Sequence, residues 1–131
     1  MNQLVQQAVQ EVEAAFPDHA VETAPDGEGG AFVRVSQLSF GDAYEPDHGW
    51  VTFRIMYTHP HADIYPHYLP SGLARRDSKP LGEAFHIQNM DLGPFKGPAT
   101  MVSRRSNRWN PARDTAALKL AKILDWIRSR P

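Results

Sequence analysis

The chain has no cysteine among its 131 residues. That single absence excludes disulfides, thiolate metal sites and every thiol nucleophile. It also lacks any apolar run approaching the roughly 20 residues that cross a bilayer. Its start, Met1-Asn2-Gln3-Leu4, has neither the basic stretch nor the apolar segment of a secretory signal. A cytoplasmic protein without a membrane partner is the expectation. A bulk excess of one charge is missing too. The formal net charge is −1, which removes the simple electrostatic argument for a nucleic-acid partner. What remains is ordinary for a folded protein: 41% hydrophobic and 22% charged residues. Those values fit one globular domain over residues 1–131 and argue against wholesale disorder.

The near-zero net charge hides an asymmetry. Residues 1–70 hold two basic against ten acidic residues, a balance of −8. Residues 71–131 hold twelve basic against five acidic residues, a balance of +7. A compact fold can mix the two into a well-solvated surface, or it can present a basic face to an acidic partner.

Periodicity predicts a helix over 3–16, where Leu4, Val5, Ala8, Val9, Val12, Ala15 and Phe16 make one apolar stripe before Pro17-Asp18. Turn residues over 24–30 lead into a strand at 31–35. Trp50 to Tyr57 reads as the clearest strand, rich in β-branched and aromatic side chains. Residues 59–83 carry four prolines in X-Pro steps and read as irregular. A short strand is expected over 83–89 and a long loop over 91–108, where Gly93, Pro94, Gly97 and Pro98 fall. Asn110 as cap and Pro111 as first residue predict a helix from about Pro111 to Ser129. The expected fold class is α+β: an antiparallel meander of about four strands flanked by an N-terminal and a C-terminal helix.

Three constellations carry possible chemistry. His59-Pro60-His61, with Asp63 and His67 nearby, has His-x-His spacing suited to a metal. It lacks a second tight ligand cluster, so no metal is expected. Phe85-His86-Ile87-Gln88-Asn89-Met90 places a base and an amide donor near a strand end. Ser103-Arg104-Arg105-Ser106-Asn107-Arg108-Trp109 is a basic, hydroxyl-rich segment. Its guanidinium groups match phosphate or carboxylate bidentately, or the segment is simply a solvated loop anchored by Trp109.

Taken in order, these pieces resemble the ubiquitin-conjugating enzymes. Tyr65-Pro66-His67-Tyr68-Leu69-Pro70 is similar to that family's Tyr-Pro…Pro stretch. Phe85 to Met90 is similar to its His-Pro-Asn motif, with Ile-Gln replacing the proline. Trp109-Asn110-Pro111 is close to its Trp-Ser-Pro. The resemblance runs over essentially the whole chain, and it is to the divergent bacterial conjugating-enzyme-like proteins of ubiquitination-like pathways. It implies two partners, a ubiquitin-like modifier and an adenylating activating enzyme, with the N-terminal helix as the docking face for the latter. It implies no cofactor, because ATP would be consumed by the activating enzyme.

The family's catalytic cysteine precedes this tryptophan by roughly eight residues. Here that count lands on Met101. Three explanations are open: the natural cysteine has been replaced, the protein only binds, or a hydroxyl does the thiol's work. For the last, Ser103 is the first candidate nucleophile and Ser106 the second, with Thr100 also in the segment. A serine needs a base, for which His86 is the candidate. Arg104, Arg105 and Asn89 would then steady the oxyanion. The competing class is a non-catalytic adaptor. A third, a phosphate-binding module, requires a pocket around Arg104 and Arg105.

Overall fold

Helix α1 (Gln3–Ala15) forms where the apolar stripe predicts it. Asn2 caps it, its side-chain oxygen accepting the Val5 N–H at 2.9 Å. That bond satisfies one of the amide donors a helix start leaves unpaired. Val5, Ala8, Val9 and Val12 bury one face. The computed structural model describes residues 1–130. Among these, α1 is followed by strands β1 (Val21–Pro25), β2 (Ala31–Ser39), β3 (Tyr44–Glu45), β4 (His48–Ile55), β5 (His67–Pro70), β6 (Ala74–Arg75), β7 (Phe85–Leu92) and β8 (Phe95–Val102), then by helix α2 (Ala116–Arg128).

Six strands form one antiparallel sheet in the order β1-β2-β4-β5-β8-β7, while β3 and β6 pair as a short separate ribbon. The α+β class and the flanking terminal helices are as expected. The sheet has six strands rather than four. The meander ends at β5, and the β7–β8 hairpin then adds with β8 innermost.

The expected loop over 91–108 is corrected most clearly. Residues 95–102 are strand β8, which pairs with β5 on one side and β7 on the other. Gly93 and Pro94 are the two-residue turn of a hairpin, with Gly93 at φ 62°. Glycine at the first turn position with φ > 0 suits the twist of a tight hairpin. Pro98 is tolerated because β5 reaches only to Ala99, so one side of the ladder has already ended there. The C-terminal helix also starts later than Pro111. The Asn110 side chain accepts from Ala112 N–H, and Asp114 accepts from Asn110 N–H. This closes a turn rather than a helix. Thr115 is the N-cap, in extended conformation, and accepts the Leu118 N–H at 3.1 Å.

Alternation then sets the core. Ala31, Val33 and Val35 of β2, Val51, Phe53 and Ile55 of β4, Leu69, Phe85 and Val102 share one buried cluster with α1 and with Leu120, Ile123, Leu124 and Ile127 of α2. A register shift between Val35 and Leu38, with Gln37 at φ 61°, returns Leu38 to the buried face. Tyr44, fully buried, donates its hydroxyl to Ile127 O at 2.9 Å, tying the ribbon to the end of α2. A second cluster holds Met90, Phe95 and Ala99, with Phe32, Trp50, Tyr68 and Leu92 around it. Among the described residues, no helix is long and apolar enough to cross a membrane.

Candidate functional site

Strand β8 delivers the chain to residues 103–109, which cross toward α2 and are fixed at two points. Trp109 donates its indole N–H to Pro60 O at 2.7 Å. Ser106 donates its backbone N–H to Asp63 at 2.6 Å and its hydroxyl to the same carboxylate at 3.0 Å. Asp63 is itself steadied by the Ile64 N–H at 2.7 Å.

The third member comes from α2. Lys119 Nζ lies 2.7 Å from Ser106 Oγ, and 3.1 and 3.3 Å from the two Asp63 oxygens. Only 3% of the lysine side chain and 13% of the aspartate side chain are exposed. Burial alone would raise the Asp63 carboxyl, but the Ser106 and Ile64 amides and the Lys119 ammonium hold it below its usual value. Burial depresses the Lys119 ammonium, and Asp63 opposes that only in part. The result is a hydroxyl held between an ionised carboxylate and an amine that gives up its proton more readily than an ordinary lysine.

His67 on β5 lies close to this pair. It is fully buried, and neither ring nitrogen has a hydrogen-bond partner among the described residues. Burial, then the Lys119 charge, push it down to about 3, so the ring is neutral at physiological pH.

Beside Ser106 opens a cavity of about 600 Å³ bounded by the 104–108 segment, Arg113, Asp114 and one side of α2. Arg104 stacks 4.6 Å from the Trp126 ring centre and Arg105 4.6 Å from that of Tyr65. Both therefore have defined positions at the rim. The asymmetry read from the sequence becomes local here. Six Lys or Arg residues line the cavity against one acid, Asp114.

The structure separates the sequence-derived candidates into two groups. Ser106, Arg104 and Arg105 come together at this cavity. Ser103, His86 and Asn89 do not join it. Ser103 is exposed and donates its backbone N–H to Ala84 O at 2.9 Å, one step past β8. His86 is exposed opposite Met101 on β7. Its ring and the Ser103 hydroxyl share no hydrogen bond among the described residues. Asn89 pairs with Pro98, three residues from His86 and so on the other face of the strand. At strand rise, it lies about 16 Å along the sheet from Ser103. Thr100 is buried and donates to Pro70 O at 2.9 Å. His59 is buried beside Trp109 while His61 is exposed, which separates the His-x-His pair.

Sequence reading missed Lys119 and gave Asp63 a different role. The signal for Lys119 was present. It falls on the stripe of Ala116, Leu120, Ile123 and Ile127, where a lysine needs a buried counter-ion.

Together these features define an α+β protein with a hydroxyl–carboxylate–ammonium cluster beside a cationic cavity. No family model matches the chain, and neither the curated proteins nor the solved structures include a significant match.

Proposed function

We propose that the chain carries a ubiquitin-like modifier in a bacterial, cytoplasmic ubiquitination-like pathway. It takes the modifier's C-terminal acyl group from an adenylating activating enzyme and holds it as an oxyester on Ser106. The observation that supports this is the cluster itself. Ser106 Oγ donates to Asp63 at 3.0 Å and accepts from Lys119 at 2.7 Å; once Lys119 has lost a proton, its amine is an acceptor within reach of the hydroxyl, as an activated serine requires. The reading therefore moves the nucleophile from Ser103 to Ser106 and the base from His86 to Lys119. Ser106 Oγ attacks the activated carbonyl, the bond to the donor's leaving group breaks, and the hydroxyl proton passes to neutral Lys119. Asp63 holds both groups in register, and Arg104 and Arg105 flank the developing oxyanion.

A second reading is a non-catalytic adaptor that binds the activating enzyme and the modifier. It is favoured by the burial of Lys119 and by the Ser106 backbone bond to Asp63, which suit a structural pin for the loop. A charging assay with activating enzyme, modifier and ATP, read by intact mass, separates the two. A reductant-resistant, hydroxylamine-sensitive adduct that is lost in Ser106→Ala and kept in Ser103→Ala supports the carrier. Absence of an adduct with retained binding to the activating enzyme supports the adaptor.

A further inference from the structure

The arginines of this protein fall into two populations, partnered and unpartnered. Arg54 pairs with Asp26 and Glu28, Arg75 with Asp77, Arg76 with Glu45, and Arg128 with Asp125, while Arg34 donates to Thr52 and Arg130 to Leu81 O. The guanidinium groups of Arg104, Arg105, Arg108 and Arg113 make neither an ion pair nor a hydrogen bond with any described residue, and all four border the same cavity. The one acid there, Asp114, is already 3.5 Å from Lys122. Guanidinium groups gathered without counter-ions repel one another, and an anion bound among them relieves that repulsion.

We infer that this cavity is a binding site for a small ligand carrying a diphosphate group. Charge sets the number of phosphates: a single phosphate carries about −1.5 to −2 near neutral pH against four guanidinium groups, whereas a diphosphate brings more charge and more oxygens for them to meet bidentately. The cavity's volume, about 600 Å³, lies within the usual range of roughly 300–1,000 Å³ for small-molecule sites. The framework is fixed before binding. Asp63 pins the loop at Ser106, Pro60 pins it at Trp109, and Trp126 and Tyr65 hold Arg104 and Arg105. A rigid site loses little conformational freedom on binding. A single-stranded polynucleotide fits less well, because it needs free aromatic faces for base stacking. Trp126 is already packed by Phe85, Arg104 and Arg130. The inference is independent of acyl transfer at Ser106: the arginines would hold the ligand whether or not the hydroxyl reacts.

The test is calorimetric titration of the full chain with inorganic pyrophosphate at near-physiological salt, checked by the shift in melting temperature. We expect saturable one-to-one binding, at least about tenfold tighter than for orthophosphate. The double variant Arg108→Glu/Arg113→Glu should weaken it at least about tenfold, and Arg76→Gln, at a distant ion pair, should leave it unchanged. If charge reversal prevents folding, Arg108→Gln/Arg113→Gln gives the same comparison. The inference is overturned by absence of saturable binding in both measurements, by equal affinity for the two anions, or by undiminished binding in a folded double variant. It is also overturned if a single-stranded oligonucleotide binds this face and pyrophosphate fails to displace it.

Discussion

Lys119 reaches from helix α2 to within 3.1 Å of Asp63, and the two hold a buried ion pair with the Ser106 hydroxyl in contact with both. The two partners do not depend on each other equally. Asp63 also accepts from the Ser106 and Ile64 amides, so it keeps donors if the lysine is removed. Among the described residues, Lys119 has no second carboxylate.

Asp63→Ala should therefore be the costlier change. Removing one member of a buried pair costs about 3–5 kcal/mol, and Asp63→Ala should fall in that range by urea denaturation. Lys119→Met keeps the apolar stem and should cost about 1–2 kcal/mol, the scale of leaving one group partly unsatisfied. The double variant should recover part of the Asp63→Ala loss. Equal, sub-kcal/mol effects of both single changes would mean that the pair behaves as an exposed one.

His67 gives the fold a pH dependence. Its folded pKa, about 3, lies below its ordinary 6.5, so the native state favours the neutral ring. That stability is fully present above pH 6.5 and is lost as pH falls toward 3, because the unfolded chain takes up a proton that the native state refuses. Between those limits stability should drop by about 1.4 kcal/mol per pH unit from this group. The depressed carboxylates, Asp63 among them, begin to contribute only near and below 3.8. His59, also lowered by burial, adds in the same direction, so the comparison must be between parent and His67→Phe. The variant should show a shallower slope between pH 6.5 and 4, whatever its absolute stability. An unchanged slope would falsify the assignment.

The β7–β8 hairpin rests on a single glycine. Gly93 sits at φ 62°, and a Cβ there would meet the Phe32 ring at 2.8 Å. Gly93→Ala combines a left-handed backbone penalty of about 1–2 kcal/mol with displacement of Phe32 from the second cluster. Loss of stability by denaturation should be accompanied by faster amide exchange in β7 and β8 than in β2 and β4.

That hairpin also shows where sequence reading succeeds and where it fails. Helix α1 was legible almost to the residue because its stripe and its proline stop agree. Strand β8 was not, because Gly93, Pro94, Gly97 and Pro98 are the residues that also make loops. What overrides them is tertiary: β7 pairs along the whole strand on one side, and β5 pairs from Ala99 to Val102 on the other, ending just before Pro98. The start of α2 was misplaced for a similar reason. Asn110-Pro111 carries a sound helix-start signal, but the Asp114 carboxylate captures the Asn110 amide and closes a turn first. At the site, the basic segment was visible as composition. The pairing of Ser106 with Asp63 and Lys119 joins positions 43 and 13 residues apart, and local pattern cannot bring those together.

The proposed chemistry makes one demand that stability does not. If Lys119 accepts the Ser106 proton, it must be neutral to do so. Ester formation on Ser106 should then rise with pH and level off through a pKa below 10.5, the direction in which burial moves this amine. Lys119→Arg is the informative variant. A guanidinium can still pair with Asp63, yet it stays protonated throughout the accessible range. It should preserve much of the fold's stability while slowing adduct formation by about 10²–10⁴, the usual worth of a positioned base, and it should abolish the pH dependence. Lys119→Met should slow the reaction as much at a greater cost to the fold. The measurement is the single-turnover rate of adduct formation against pH, with stability followed in parallel. An Arg variant that reacts at the parent rate would leave Lys119 a structural counter-ion and remove it as the base, whereas the adaptor reading stands only if no adduct forms at all.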